Sequence, residues 1–383
     1  MKAHLCRCTG WQTIAEAAVA IGAGARSTAK GDVGAAERRA QLEGGIAQEV
    51  GPEVALGAAG FADDTAPADA LVALRSATGD WVVAETLTEA RRLAAKVQGR
   101  RTTAAAEPPL AVPAGDWVRA LRTSWVEPAY LETDASWCLP GGDPATPLAN
   151  GGAFGSKGVS EVDAVARRLA DEHRRAVRVL YSREDCVRLG AKRPPLAAGL
   201  RADGSGEIVV VRTPGIVDAI ALVAPDVVVT EVDRVGPPTS SAIRGAGWVE
   251  AAVLAASLSE GPDTVLSPSG AEATAIVREG VIEVRVRCGD PLDETVLRSY
   301  CIGAAHMAWS WVTSESLAVD TDGAIGDLTI RSFGIVRAVD TPRIDVVIEP
   351  ADGTPVNGSD AVFAAVAAAT WRHAGHPGVW PVG

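Results

Sequence analysis

Apolar residues recur along this chain at two different periods. Where they alternate with polar residues, the period of two predicts β-strands, and runs of valine and isoleucine strengthen that interpretation. Where they recur every three to four residues, they predict helices. The predicted strands are 71–76, 81–84, 176–181, 207–212, 226–233, a hairpin over 270–288 that turns at Glu279-Gly280, and 343–350. The predicted helices are 9–24 (beginning at Thr9), 35–50, 85–97, one that follows residue 160, and 248–260, 294–317 and 360–372.

Strands and helices are mixed in this order without an internal repeat, which predicts the α+β class and several domains. The 383 residues suffice for two or three sizeable cores. The Gly/Ala-rich stretch 22–34 is typical of a linker, and Pro108–Pro113 is typical of a boundary. We therefore expect units over 1–45, 50–108, 112–265 and 266–383.

Composition excludes several classes of partner. The net charge of −12 argues against nucleic acid or an anionic membrane, and no apolar run is long enough to cross a bilayer. Six cysteines in a chain of this length do not form a disulfide scaffold. We expect a cytoplasmic protein, and the sequence leaves open whether it is a homo-oligomer.

Two short segments have residue types suited to binding a cofactor. Cys6-Arg7-Cys8-Thr9-Gly10-Trp11 offers two thiolates, which is half of the usual ligand set of a 2Fe–2S cluster. The alternative is a pair of ordinary cysteines near a mobile terminus.

The second segment is Asn150–Gly158, read Asn-Gly-Gly-Ala-Phe-Gly-Ser-Lys-Gly. Its glycines let the backbone approach a ligand closely, and a helix predicted just after it, with Ser160 and Asp163 as a partial capping box, would offer free N–H groups to an anion. It lacks the Gly-Lys-Ser/Thr ending of a Walker loop. A flexible turn between domains is the alternative.

These two segments resemble motifs of the molybdenum hydroxylase family, which includes xanthine dehydrogenase, aldehyde oxidase and carbon monoxide dehydrogenase. The cysteine segment is similar to the last ligand pair of the family's helical 2Fe–2S domain, and the glycine segment to the loop that approaches the molybdopterin. Further similar segments follow in the family's order: Glu127–Thr133, Tyr181–Asp185 with Lys192–Pro195, Ala242–Trp248, and Arg331–Ile335 with Thr341–Ile344.

The resemblance implies a remnant of the 2Fe–2S domain over 1–45, a hammerhead-like α+β domain over 50–108, and reduced molybdopterin-binding α+β domains over 112–265 and 266–383. It implies a molybdopterin-binding type of subunit that hydroxylates an N-heterocycle, purine or aldehyde as its small-molecule substrate. Iron–sulfur and flavin subunits would be its partners, with FAD only in a partner and the cluster completed by a partner chain. The implied site residues are Cys6 and Cys8 for the cluster, and Gly151, Gly152, Ala153, Phe154, Gly155, Ser156, Arg244 and Gly245 for the molybdopterin.

The chain also departs from the family pattern. The family's late glutamate, which acts as the base, is replaced by Ser359, and the nearest carboxylate, Asp360, is one residue away. We expect Ser359 and Asp360 to cap the following helix, and the helix dipole to lower the basicity of Asp360. Val126 stands where the family has a glutamine. The chain is also shorter than a complete molybdenum subunit.

These departures predict little or no hydroxylase activity and leave two alternatives to the enzyme. One is a non-catalytic subunit or pseudo-enzyme that keeps the fold without a functional metal centre. The other is a gene fragment whose start lies inside a longer iron–sulfur/molybdenum fusion.

Purified alone, the chain is expected to hold no complete 2Fe–2S cluster. Cys6 and Cys8 supply two thiolates where four are needed, and Cys138, Cys186, Cys288 and Cys301 are isolated from one another in the sequence. Iron analysis and the visible absorption spectrum of the purified chain check this. Stoichiometric iron with the spectrum of a 2Fe–2S centre would contradict it.

Overall fold

The fold is taken from a computed structural model that describes residues 11–24, 31–96 and 104–382. The helices are α1 Gln12–Gly22, α2 Val33–Gly44, α3 Pro52–Ala55, α4 Leu87–Ala94, α5 Val162–His173, α6 Arg183–Leu189, α7 Ile216–Ala221, α8 Trp248–Ala256, α9 Glu294–Thr313 and α10 Ser359–His373. The strands are β1 Leu71–Arg75, β2 Trp81–Ala84, β3 Arg119–Arg122, β4 Ala135–Cys138, β5 Val177–Leu180, β6 Leu196–Leu200, β7 Gly206–Val211, β8 Val227–Val232, β9 Asp263–Leu266, β10 Glu272–Arg278, β11 Val281–Arg287 and β12 Arg343–Ile348.

The strands form three mixed four-stranded sheets, in agreement with the predicted α+β class. The first sheet has the order β2-β1-β5-β4, the second β3-β6-β7-β8 and the third β12-β11-β10-β9. The predicted hairpin is confirmed: β10 and β11 pair antiparallel, with Arg278 opposite Val281 and Gly280 at a positive φ of 73° in the turn.

The first sheet joins strands that are distant in sequence. β1 pairs antiparallel with β2 and parallel with β5, and β4 pairs antiparallel with β5. Strands from both sides of the expected boundary at Pro108–Pro113 thus share one sheet. The domain limits themselves stay a prediction.

Helix α10 is the centre of the largest core. It packs against α9, α8 and the strands β9, β10 and β11, and almost all of its residues are buried. Its alanines, together with Gly303, Ala304 and Ala308 of α9, have small side chains that let the two helix backbones approach. Trp311 of α9 stacks on Phe363 of α10 and meets Trp380 edge-on.

Several helix ends differ from the predictions for local reasons. Helix α2 was predicted to reach Val50, but it stops at Gly44 because Gly45 takes a left-handed conformation and closes the helix. The capping box predicted for Ser160 and Asp163 is wrong, since α5 begins after Glu161 with no side-chain cap. Thr9 lies outside the described residues. Among those that are described, no helix is both long and apolar enough to cross a membrane.

Candidate functional site

The glycine segment folds into a tight, irregular turn. Ala153–Val159 form a 3₁₀ helix in which Phe154 and Gly155 have left-handed backbones, and the extended residue Ser160 separates this turn from α5. Gly151 has φ 143° and nothing within 4 Å of the position where a side chain would begin, so its backbone is open to a neighbour. Gly152 lies beside Ile46 at 3.4 Å from that position.

The glycine segment packs directly against residues Ala242–Trp248, which we call the Arg244 segment. A side chain at Gly155 would collide with the carbonyl oxygen of Ala242, so only glycine allows this approach. The Arg244 guanidinium carbon lies 4.7 Å from the centre of the Phe154 ring, a cation–π contact. Because both segments would face the same cofactor in the family they resemble, we predict that they lie close together and line one cleft between domains. The close contact is confirmed, and the cleft stays a prediction. Gly245, also predicted at the site, has φ 62° and packs on the indole of Trp248.

Arg244 is enclosed by groups from three parts of the chain. Besides Phe154, its guanidinium lies 5.8 Å from the ring of Phe363 on α10, 3.2 Å from the sulfur of Met307 on α9, and 3.8 Å from Asp360 Oδ1. Only 8% of the residue is exposed. Met307 and Phe363 could not be recognised as site residues from the sequence, because both have the ordinary pattern of buried core residues.

Two of the other family-like segments, Glu127–Thr133 and Lys192–Pro195, contact each other through a buried ion pair. Lys192 pairs with Glu127 at 2.9 Å, with both side chains fully buried. Arg193 pairs with Glu250 at 2.7 Å and lies over the Trp311 ring at 4.0 Å. Its guanidinium also donates to the carbonyl oxygen of Arg244 at 3.1 Å, which holds the backbone of that segment.

Two further residues fix the glycine turn. Lys157 reaches Glu132 at 2.6 Å across the face of Tyr130, and the Ser156 hydroxyl donates to the carbonyl of Ala191 at 3.1 Å. Ser156 was predicted to bind a cofactor; here it holds the turn in place. Ala153 begins the 3₁₀ helix and packs with the core beside α5.

The N-terminus of α10 is capped differently from the prediction. Neither Ser359 nor Asp360 caps the helix through its side chain. The Glu43 carboxylate accepts the N–H of Gly358 at 3.0 Å and that of Ser359 at 2.8 Å, and Asn357 Oδ1 accepts the N–H of Asp360 at 2.9 Å. Glu43 was missed because its spacing from Arg39, four residues apart on a helix, is the same as that of an ordinary surface ion pair.

The carboxyl of Asp360 is consequently turned toward Arg244. Burial raises its pKa; Arg244 opposes this, and the negative charge of Glu43 adds to it. The prediction that the helix dipole would lower the basicity of Asp360 is therefore wrong, because desolvation outweighs it. The side chain keeps 32% of its surface exposed, so a small molecule can reach it.

The predicted cluster ligands Cys6 and Cys8 lie outside the described residues. Within the described ranges, no group of three or more histidine, cysteine, aspartate or glutamate residues is placed to hold a metal ion.

The sequence matches no family model and no curated protein. The fold is similar to that of the aldehyde oxidoreductase from Desulfovibrio gigas, with a TM-score of 0.56 and 10% identity over 95% of this chain and 82% of that chain. It is equally similar to the aldehyde oxidoreductase from Desulfovibrio desulfuricans, with a TM-score of 0.56 and 11% identity over 96% and 82%. At these identities the likeness shows a shared fold.

Replacing Glu127 should test the buried ion pair. Glu127→Gln leaves the Lys192 ammonium group buried without a counter-charge, which typically costs about 3–5 kcal/mol of unfolding free energy. Chemical denaturation of the two proteins measures the difference. The control Asp143→Asn breaks an exposed pair with Arg167 and should cost less than about 1 kcal/mol. Equal losses in the two variants would contradict a fully desolvated pair.

The raised pKa of Asp360 predicts a stabilising substitution. The folded chain holds this proton more tightly than the unfolded chain, so stability falls as pH rises from the ordinary pKa of an aspartate through the raised one. Asp360→Asn should therefore melt at a higher temperature than the parent at neutral pH. It should lose that advantage at a pH below both the pKa of Asp360 in the unfolded chain and its raised pKa in the folded chain. Thermal melts across a pH series check this.

The control for this variant is Asp218, an exposed aspartate in the first turn of α7. An acid at that position normally stabilises its helix, so Asp218→Asn should lower the melting temperature slightly. A melting temperature for Asp360→Asn that is lowered as well would contradict the cost assigned to the Asp360 charge.

Proposed function

We propose that this chain is the molybdopterin-binding type of subunit of a molybdenum hydroxylase, an oxidoreductase acting on an N-heterocycle, a purine or an aldehyde. One observation carries the proposal. The glycine segment 150–158, the Arg244 segment and the N-terminus of α10 meet around one guanidinium, although they are far apart in sequence. The shared fold with two aldehyde oxidoreductases and the order of the family-like segments support it.

The residues at this point fit such a cofactor on the protein side. No atom lies within 4 Å of the position where a Gly151 side chain would begin, and Arg244 carries a positive charge against Phe154 of the same segment. The hydroxyl of Ser359 is buried and forms no hydrogen bond with any described residue, so a bound molecule would satisfy it. Gly151, Gly152, Phe154, Arg244 and Gly245 would hold the cofactor. When bound, molybdopterin with its metal supplies the redox chemistry.

Asp360 is the proton acceptor in this proposal. Its carboxyl lies between Arg244 and solvent, and its raised pKa makes it a stronger base near neutral pH than an ordinary aspartate. Two reasons for expecting no activity were the loss of a carboxylate at Ser359 and the engagement of Asp360 as a helix cap. Glu43 and Asn357 cap the helix, so the second reason no longer holds.

Electrons would leave the site through partner subunits. An iron–sulfur subunit would complete the ligand set of Cys6 and Cys8, and a flavin subunit would carry FAD. The complex would be cytoplasmic, with a small molecule as its substrate.

A specific observation favours a second candidate, a non-catalytic subunit of the same fold. The guanidinium of Arg244 is already surrounded by Phe154, Met307 and Phe363. The cations Lys157, Lys192 and Arg193 each have a carboxylate partner. A chain that had lost its metal centre would fill the vacated space in this way and keep its contacts to the other subunits.

Metal analysis and one pair of variants separate the two candidates. The chain would be produced with the products of its neighbouring genes in a host that makes molybdopterin. The enzyme is expected to carry molybdenum and to oxidise purines, N-heterocycles or aldehydes with an artificial electron acceptor. Asp360→Asn should then lower turnover by about 10²–10⁴-fold with molybdenum unchanged, while Asp218→Asn leaves both unchanged.

Absence of molybdenum from a complex made with the cofactor available would favour the non-catalytic subunit. If molybdenum is bound but the parent is silent and Ser359→Glu becomes active, the base belongs at position 359 and the role proposed for Asp360 is wrong.

A further inference from the structure

Helix α2 carries a fully buried ion pair. Arg39 and Glu43 lie four residues apart and contact each other at 3.1 Å, and neither side chain has exposed surface. Burying two charges is costly unless each of their polar atoms forms a hydrogen bond. The hydrogen-bond partners of Arg39 and Glu43 therefore show which parts of the chain this pair holds together.

The partners of this pair belong to two loops far along the chain. Arg39 donates to the carbonyl oxygens of Asp290 and Pro291 and, at 2.8 Å, to that of Val356. Glu43 accepts the N–H groups of Gly358 and Ser359. We call this arrangement the Arg39–Glu43 clamp. It joins α2 to the loop that precedes α9 and to the loop that begins α10.

Glu43 supplies the hydrogen-bond acceptor that α10 lacks at its own N-terminus. The first N–H groups of a helix need acceptors, and a serine, threonine or aspartate just before the helix usually provides them. Here Gly358 occupies that position and has no side chain, and the carboxylate comes from a helix more than three hundred residues earlier. The positive end of the helix dipole also favours an anion at this place.

Glu43 itself is not placed to act as a base. Its two oxygens accept from Arg39, Gly358 and Ser359, and the side chain has no exposed surface. Asp360, the next residue after Ser359, has a partly exposed side chain, and among the described residues its one ion-pair contact is the longer one with Arg244.

We propose that Glu43 is a positioning residue for Asp360: by binding the amides of Gly358 and Ser359, it fixes the first turn of α10 and aims the Asp360 carboxyl at Arg244. This inference rests on the proposed function for its meaning in catalysis. It makes α2, which the family resemblance places in a remnant of the 2Fe–2S domain, a part of the candidate site.

Glu43 also acts on Asp360 through charge. The charged groups that influence Asp360 are Arg244, Arg193 and Glu43; the two arginines lower its pKa, and Glu43 raises it. Arg39 stands behind Glu43 and partly offsets its charge. Removing the Glu43 charge should therefore let Asp360 ionise at lower pH.

The experiment is a titration of Asp360 in the cofactor-free chain. Carbon-13 NMR of aspartate-labelled protein, with the Asp360 signal assigned by its loss in Asp360→Asn, gives the midpoint directly. Glu43→Gln is expected to shift this midpoint to lower pH. The matched control Glu37→Gln removes the same charge from the same helix, about 200° around from Arg39, and should leave it unchanged. An unchanged midpoint in folded Glu43→Gln would overturn the proposal.

If Glu43→Gln does not fold, a measurement on the unaltered chain tests whether Glu43 fixes the first turn of α10. Hydrogen exchange of the amides of Gly358 and Ser359 should be slower, by about 100-fold or more, than exchange of the Asp163 amide, which lies in the first turn of α5 without a side-chain cap. Equal exchange rates would overturn the proposal. Both measurements use no cofactor, so a chain without molybdenum would refute the proposed function and leave this result standing.

Discussion

A buried positive charge must be accompanied by a negative one, and this requirement joins the distant segments of the chain. Lys192 with Glu127 and Arg193 with Glu250 are pairs between distant segments. Arg39 and Glu43 pair within α2 and reach distant loops through hydrogen bonds. None of the six side chains has more than a trace of exposed surface. Leaving one member alone would cost several kcal/mol, a large fraction of the stability of a typical domain. Each pair therefore acts as a strong constraint on which loops can lie side by side.

Aromatic rings complete this arrangement. Arg193 lies over the ring of Trp311, and Arg244 lies against Phe154 and Phe363. A guanidinium is weakly hydrated and stacks on aromatic faces, so it can enter a core where an ammonium group would be less suited. The chain has few aromatic residues, and it places several of them where cations are buried.

The elements with a clear local signal could be predicted from the sequence. The hairpin β10–β11 follows from alternation and a Glu-Gly turn, and α10 follows from an alanine-rich apolar run. The meeting of Phe154 with Arg244 could be predicted only through the family resemblance, because nothing local to either segment indicates the other. The role of Glu43 could not be predicted, since its partners are more than three hundred residues away. The direction of the Asp360 pKa shift was missed for a related reason: desolvation depends on packing that no local pattern encodes.

The order of strands in the first sheet has a consequence for synthesis of the chain. β1 lies between β2 and β5, and β5 is made more than one hundred residues after β1. During translation the edge of β1 that will pair with β5 therefore stays unpaired, and such an edge can pair with strands of other chains. Pairing over so long a loop is also slow. Protection of β1 from pairing with other chains thus depends on the synthesis of β5, or on a chaperone that covers the edge of β1 until β5 is made.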